Sequence, residues 1–488
     1  MSDVMMLIDG EWRDGRSFLP IATPDGQSIT RLPIAMPGDV EEAVAAARKA
    51  LPDWRAIGVA ERASLLEQVA DRLVKEYGSQ GEETPLKSLI SSEVGKRLPE
   101  ADVEVIESSD MIRFFATNAP ALLAPVQPQL DKGLWPTKES EIVHEPVGVV
   151  AVIKPWNYPL ELPIWSIAPA LVAGNTVVFK PSEYASMVGE FIVRMFDEAG
   201  IPAGVLNLIT GADSAGRALV ESPGVDFVSF TGSVNVGREI AQSCASNLRR
   251  YSLELGGNDA ALVLSDADID LATNGLVWGA FCNSGQVCVG IKRAIVVEDV
   301  YDAVVSAVLA RTKELRAGAD YGPMISDEQA SAVEAFIGDA VQRGARIACG
   351  GKRGGDHGGN YFEPTVILNV PSDARLMNEE CFGPVLPIIS VPTTDDAVAL
   401  ANSGNYGLGA SIWTADLEAG HLLAGRIEAG MVWVNDVNVA FPETPWGGVK
   451  QSGQGVELSA WGLYEYTVKK HISVDRSGAQ RRDWWYPY

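Results

Sequence analysis

Two stretches of this chain bring reactive side-chain types together with small, flexible neighbours. Phe281-Cys282-Asn283-Ser284-Gly285-Gln286-Val287-Cys288 ends on a thiol, and Tyr251-Ser252-Leu253-Glu254-Leu255-Gly256-Gly257-Asn258 sets a carboxylate beside a glycine pair. A thiolate is a strong nucleophile, but a thiol near its ordinary pKa is only slightly ionised at neutral pH and needs a partner to take its proton. The histidines, His144, His357, His421 and His471, stand apart from one another. Neither a metal cluster nor a histidine-based triad is therefore signalled, and cysteine chemistry here needs another base. A carboxylate can serve when partial burial lifts its pKa towards working pH. Read alone, Cys288 favours a buried structural role, the usual fate of a lone cysteine, and Cys244, Cys282, Cys349 and Cys381 keep that reading.

Further strings surround these two in a fixed order: Ile8-Asp9-Gly10-Glu11-Trp12, Pro155-Trp156-Asn157-Tyr158-Pro159, Lys180-Pro181-Ser182-Glu183, Phe230-Thr231-Gly232-Ser233, Glu380-Cys381-Phe382-Gly383-Pro384 and Pro445-Trp446-Gly447-Gly448-Val449-Lys450-Gln451-Ser452-Gly453. In that joint order the chain resembles the aldehyde dehydrogenase superfamily, of the non-acylating, hydrolytic type, nearly end to end. The resemblance implies that Cys288 attacks an aldehyde and that Glu254 is the general base. It also implies that Asn157, with the backbone N–H of Cys288, holds the thiohemiacetal oxyanion. Taken alone, Asn157 is equally a turn residue before Pro159. Relatives that hand the acyl group to coenzyme A lack the glutamate, so Glu254 favours hydrolysis of the thioester to a free acid.

The cofactor signal is less direct, because no standard G-x-G-x-x-G follows the first parallel strand. Gly232-Ser233-Val234-Asn235-Val236-Gly237 follows the strand-like run 226–230, and a helix N-terminus there can offer N–H groups to a pyrophosphate. As a lone string it is a plain strand-to-helix turn. The resemblance assigns Ser233, Gly232 and Gly237 to the pyrophosphate, with Trp156 and Gly211 also at the cofactor, and Glu380 and Phe382 at its nicotinamide end. Lys180 and Glu183 follow a buried-strand run and so stand at a strand's carboxyl end, where open α/β sheets bind ligands. A solvated charge pair is the alternative. The resemblance gives them the adenosine ribose; a carboxylate there accepts from a ribose diol and repels a 2′-phosphate, which favours NAD while leaving NADP possible.

The positions that line the family's aldehyde tunnel are here Tyr158, Leu162, Trp165, Val287, Val289 and Trp446. The set is apolar and aromatic, without arginine or lysine, which argues against a second carboxylate on the substrate and for an aromatic or medium-chain aliphatic aldehyde. Trp165 could as well fill core. Asn258 stands where the family usually has lysine. The last residues, Arg481-Arg482-Asp483-Trp484-Trp485-Tyr486-Pro487-Tyr488, form an aromatic tail expected to pack on a neighbouring subunit or near a tunnel mouth.

The scaffold must be large and α/β. At 488 residues and 47% apolar content the chain is long enough for at least two cores. Short β-branched runs at 147–153, 175–180, 205–209, 226–230, 260–264 and 294–298 alternate with helical segments, the rhythm of parallel sheets. The N-terminal part predicts a helix from an Asp39 cap to Ala50, ended by Pro52, and a second with Leu65, Leu66, Val69 and Leu73 on one face, stopped by Gly78. The family's arrangement divides the chain into a cofactor-binding domain (1–122 and 145–255), a catalytic domain (256–456) and a small β oligomerisation element (123–144 and 466–488), used to form a homodimer or homotetramer. A net charge of -25 makes nucleic acid a poor partner. The absence of a secretory start or a membrane-length apolar run, with scattered cysteines and no CxxC pair, points to a cytoplasmic protein without metal.

Overall fold

The computed structural model describes residues 3–78, 80–354 and 359–477; His357 and the aromatic tail lie outside them. Two sheets dominate. Five strands of the first are parallel, in the spatial order Leu206–Leu208, Thr176–Pro181, Val149–Lys154, Phe227–Thr231, Arg250–Glu254. Numbered along the chain this is 3-2-1-4-5, the doubly wound order that leaves a crevice between the first and fourth strands. The three central strands are buried over their whole length, which is why they read in sequence as continuous apolar runs rather than alternating ones. Short antiparallel strands, Met6–Ile8 and Glu11–Arg13 at one edge and Gly453–Gln454 at the other, complete the sheet.

The second sheet runs Arg346–Cys349, Thr365–Leu368, Val385–Val391, Ile291–Val297, Asp259–Val263, Gly409–Trp413, Met431–Val434, parallel except for its first strand. The fold is thus α/β, two parallel-sheet bodies with small antiparallel additions. Four residues, Leu255 to Asn258, separate the last parallel strand of the first sheet from the Asp259–Val263 strand of the second. Carboxyl ends of first-sheet strands therefore meet amino ends of second-sheet strands, and the site forms at that junction. A separate ribbon pairs Lys138–Pro146 with Thr467–Asp475, antiparallel.

The first helix departs from the sequence expectation at both ends. It spans Pro37–Ala56 with Met36 as N-cap, while Asp39 sits at its third position and accepts from Met36 N at 2.8 Å. Asp39 thus closes the first turn from inside. Pro52 does not end the helix: it is exposed, and burial of Leu51 and Trp54 on either side holds the turn across the missing N–H. The second helix, Val59–Tyr77, buries Leu66, Val69 and Leu73 and stops at Gly78.

Candidate active site

Each central side chain sits at a strand end that faces the junction. Glu254 is the last residue of Arg250–Glu254, Asn157 follows Val149–Lys154 by three residues, and Cys288 precedes Ile291–Val297 by three. Cys288 leaves a turn in which Asn283, Ser284 and Gly285 take φ of +46°, +56° and +70°. Gly285 is required there, since a Cβ would fall 2.2 Å from Gly383 O. The turn is tied to Asn157 from both sides: Asn157 Nδ2 donates to Gln286 O at 3.1 Å, and Asn283 Nδ2 donates to Asn157 O at 3.1 Å. One N–H of the buried Asn157 amide is thereby spent on orientation, and the other remains for a ligand.

Glu254 is 4% exposed, and neither carboxylate oxygen has a hydrogen-bond partner among the described residues. Burial lifts its pKa well above the ordinary carboxylate range; the charge of Glu457 adds to this and that of Lys154 offsets part of it. Lys154 donates to Thr231 Oγ1 at 2.7 Å and pairs with Glu457. A buried, unpartnered carboxylate is costly to fold around and is poised to exchange a proton. Cys288 is half-buried; burial pushes its thiol up, and the carboxylates of Glu380, Asp259 and Glu254 push it further. Burial thus disfavours the charged form of both groups.

Two cavities open beside these strand ends. One, of about 260 Å³, is lined by Cys288 together with all six tunnel positions, Tyr158, Leu162, Trp165, Val287, Val289 and Trp446. Trp165 and Trp446 meet edge to face at 5.1 Å. The sequence reading missed the opposite wall. The helix Leu98–Leu122 adds Glu100, Val103 and Glu107, and Lys96, Arg97, Glu161, Trp278 and Cys282 also line the cavity. Cys282 therefore does more than fill core. Both cations are already engaged: Lys96 pairs with Glu104 at 2.5 Å and stands 3.6 Å from the centre of the Tyr158 ring, and Arg97 pairs with Glu100 at 2.9 Å. Glu107 and Glu161 hydrogen-bond each other, and burial raises both. Glutamates at 100, 104 and 107 do fall on one helical face, but such a stripe usually faces water.

The other cavity, about 350 Å³, lies over the crevice between Val149–Lys154 and Phe227–Thr231 and is lined by Trp156, Lys180, Glu183 and Gly232, among others. Lys180 and Glu183 pair at 3.7 Å. Ser233 caps the helix Val234–Ser246, accepting from Val236 N at 3.4 Å. Gly237 lies inside that helix, where a Cβ would fall 2.6 Å from Leu255 Cδ2, so it lets the helix pack against the residue that follows the Arg250–Glu254 strand. Gly211, at φ +130°, packs near Ala215. Glu380 accepts from Gly257 N at 3.1 Å and is raised to about 7 by burial, against the lowering charge of Lys292. Phe382 contacts Trp156 edge to face at 5.7 Å.

A family model described as "Aldehyde dehydrogenase family" matches residues 12–472. Among curated proteins the chain is 34% identical over 482 residues to a betaine aldehyde dehydrogenase of Bacillus subtilis (strain 168), covering 96% of each. It is likewise 34% identical over 480 residues to a succinate-semialdehyde dehydrogenase [NADP(+)] of Escherichia coli (strain K12), covering 96% of this chain and 97% of that one. The crystal structure of a betaine aldehyde dehydrogenase from Staphylococcus aureus in complex with NAD+ superposes with a TM-score of 0.94 at 34% identity, over 99% of this chain and 98% of that one.

Proposed function

The chain belongs to the aldehyde dehydrogenase family and is an aldehyde-oxidising enzyme; from that premise we propose that it converts an aldehyde with an aromatic or medium-chain aliphatic body to the carboxylic acid, with NAD as cofactor. The observation that carries this reading is the single cavity that joins Cys288 to Tyr158, Leu162, Trp165 and Trp446. The cleft over the strand crevice fits a dinucleotide, with a capped helix N-terminus for the phosphates and the Lys180–Glu183 pair beside them for a ribose. Trp156, Gly232 and Ser233 would hold it with that pair, and Glu380 and Phe382 would hold its nicotinamide end. NADP remains compatible through Lys180. When bound, the cofactor supplies the hydride acceptor that turns a thiohemiacetal into a thioester.

The protein groups do the rest. Glu254 accepts the Cys288 proton, Cys288 Sγ bonds to the carbonyl carbon, and the free N–H of the Asn157 amide, with the Cys288 N–H, stabilises the oxyanion. After passing that proton to solvent, Glu254 activates the water that attacks the thioester, releasing the acid and the Cys288 sulfur. The domains proposed for this division of labour are 1–122 with 145–255 for cofactor, 256–456 for catalysis, and 123–144 with 466–488 for oligomerisation. Exposed Val468, Ile472 and Val474 on the paired ribbon support assembly into a homodimer or homotetramer. The unpaired cysteines suit the reducing cytoplasm.

A second reading is favoured by Glu100, Glu107 and Glu161: the far end of the substrate carries a cationic amine, as betaine aldehyde does. Aromatic faces and carboxylates together suit such a group. Formation of NADH across a panel of aromatic, straight-chain, ω-amino, trimethylammonio and ω-carboxy aldehydes tests both. The highest kcat/KM is expected for neutral aromatic or aliphatic members on the first reading and for cationic members on the second; a preference for ω-carboxy aldehydes would defeat both.

A further inference from the structure

Lys292, the second residue of the strand Ile291–Val297, is 3% exposed. Its Nζ makes one hydrogen bond among the described residues, to Gly285 O at 2.7 Å, and stands 5.4 Å from the centre of the Phe382 ring. It forms no contact ion pair among the described residues; Asp259 and Glu380 feel its charge only at longer range. Burying an ammonium without a contact partner is costly, and the fold gains little from one bond to a loop carbonyl. What that carbonyl belongs to explains the expense.

Gly285 closes the three-residue left-handed turn Asn283-Ser284-Gly285. Two of its members are not glycine, so the turn persists only where its surroundings hold it. Ser284 Oγ anchors it to Gly322 O at 2.6 Å, and Gln286 Oε1 accepts from Ile325 N at 2.9 Å. Lys292 anchors it from the side of the cofactor residues. The turn in turn orients Asn157, through Gln286 O and through Asn283 Nδ2. The chain of contacts thus runs from the ammonium to the Gly285 carbonyl, the turn, and the Asn157 amide.

We propose that Lys292 is a positioning residue for the oxyanion donor, holding the left-handed turn in the shape that aims the Asn157 amide at the reacting carbonyl. This rests on the reading of Asn157 given above. The test is a double-mutant cycle of Lys292→Met, Asn157→Ala and the double variant on the whole enzyme with saturating cofactor. Lys292→Met is expected to lower kcat about tenfold with aldehyde KM within about twofold, and to cost less than about twofold more in the Asn157→Ala background. Alkylation of Cys288 by iodoacetamide should stay within about twofold of the parent, because thiol attack on that reagent needs no oxyanion donor. A parental kcat in Lys292→Met, an equal loss in the Asn157→Ala background, or alkylation falling in step with kcat overturns the proposal. An Asn157→Ala enzyme with parental kcat would instead overturn the reading on which it rests. If Lys292→Met gives no cooperative melting transition, Lys292→Gln carries the same comparison.

Discussion

The proposed cofactor cleft and the proposed aldehyde tunnel, the latter reaching Cys288, hold charge in different ways. Most of the cleft's charges are at its rim: Glu183 is one-third exposed, and Arg217 and Glu239 pair in solvent. The tunnel's charges are buried or part-buried and paired. Lys96 is matched with Glu104, and part-buried Glu107 hydrogen-bonds to buried Glu161. Solvated charges adjust to a ligand at small cost, whereas buried ones must be matched in advance. The cleft can thus tolerate variation in what it holds, and the tunnel is built around one kind of occupant. The proposed catalytic residues, Cys288, Glu254 and Asn157, should serve every aldehyde and either cofactor alike.

That division predicts where substitutions act. Cys288→Ala, at the seam, should reduce turnover below about a thousandth of the parent with every aldehyde and either cofactor; activity surviving with one substrate class would mean another nucleophile serves that side. Glu254→Gln should still bind both ligands, form the thioester more slowly and then stall as an acyl-enzyme, seen as slowly added mass on Cys288 with no steady turnover. Burial has raised Glu254, so the ionised base grows as pH rises: parental kcat should climb with pH through that titration. Steady turnover at the parental rate in Glu254→Gln would remove it from the mechanism. Asn157→Ala should lower the chemical step by about a hundredfold, the scale of a lost oxyanion donor, without altering cofactor KM.

The two regions also differ in how readily sequence yields them. The cleft is assembled from consecutive strand–turn–helix units, so 176–183 and 227–237 each carry a whole piece of wall in local pattern. Cys288, Glu254 and Asn157, the proposed catalytic trio, stand at or near strand ends for the same reason. One wall of the proposed tunnel was legible too, through Tyr158, Trp165 and Trp446. Its acidic wall was not. Glu100 and Glu107 come from a helix whose partner face depends on tertiary packing, and Lys96 gains its meaning only from Glu104 and Tyr158. Lys292 was invisible because its partner, Gly285 O, is backbone. The N-terminal helix exceeded its expected bounds because burial on both sides outweighed Pro52.

Smaller effects should sharpen the contrast. Glu107→Gln with Glu161→Gln removes the carboxylate pair of the wall while keeping its shape. On the cationic reading, KM for an ω-amino aldehyde should rise about tenfold while that for a neutral aldehyde of equal length stays within about twofold. Equal changes for both would mean that the pair only supports the wall.

The smallest effect should come from the rim of the cleft. Glu183 is partly exposed and paired with Lys180 at 3.7 Å, so solvent screens much of what it does. Glu183→Gln keeps a hydrogen-bonding group for a ribose hydroxyl but removes the charge that would repel a 2′-phosphate, and it frees Lys180 to meet that phosphate. The ratio of kcat/KM for NAD to that for NADP should therefore fall severalfold, chiefly through a lower KM for NADP, with aldehyde KM unmoved. If the ratio is unchanged, the pair is no more than a surface contact, and cofactor choice rests with other residues of the cleft. If aldehyde KM moves instead, the two regions are not independent, and the separation between a forgiving cleft and a pre-matched tunnel fails at its mildest point.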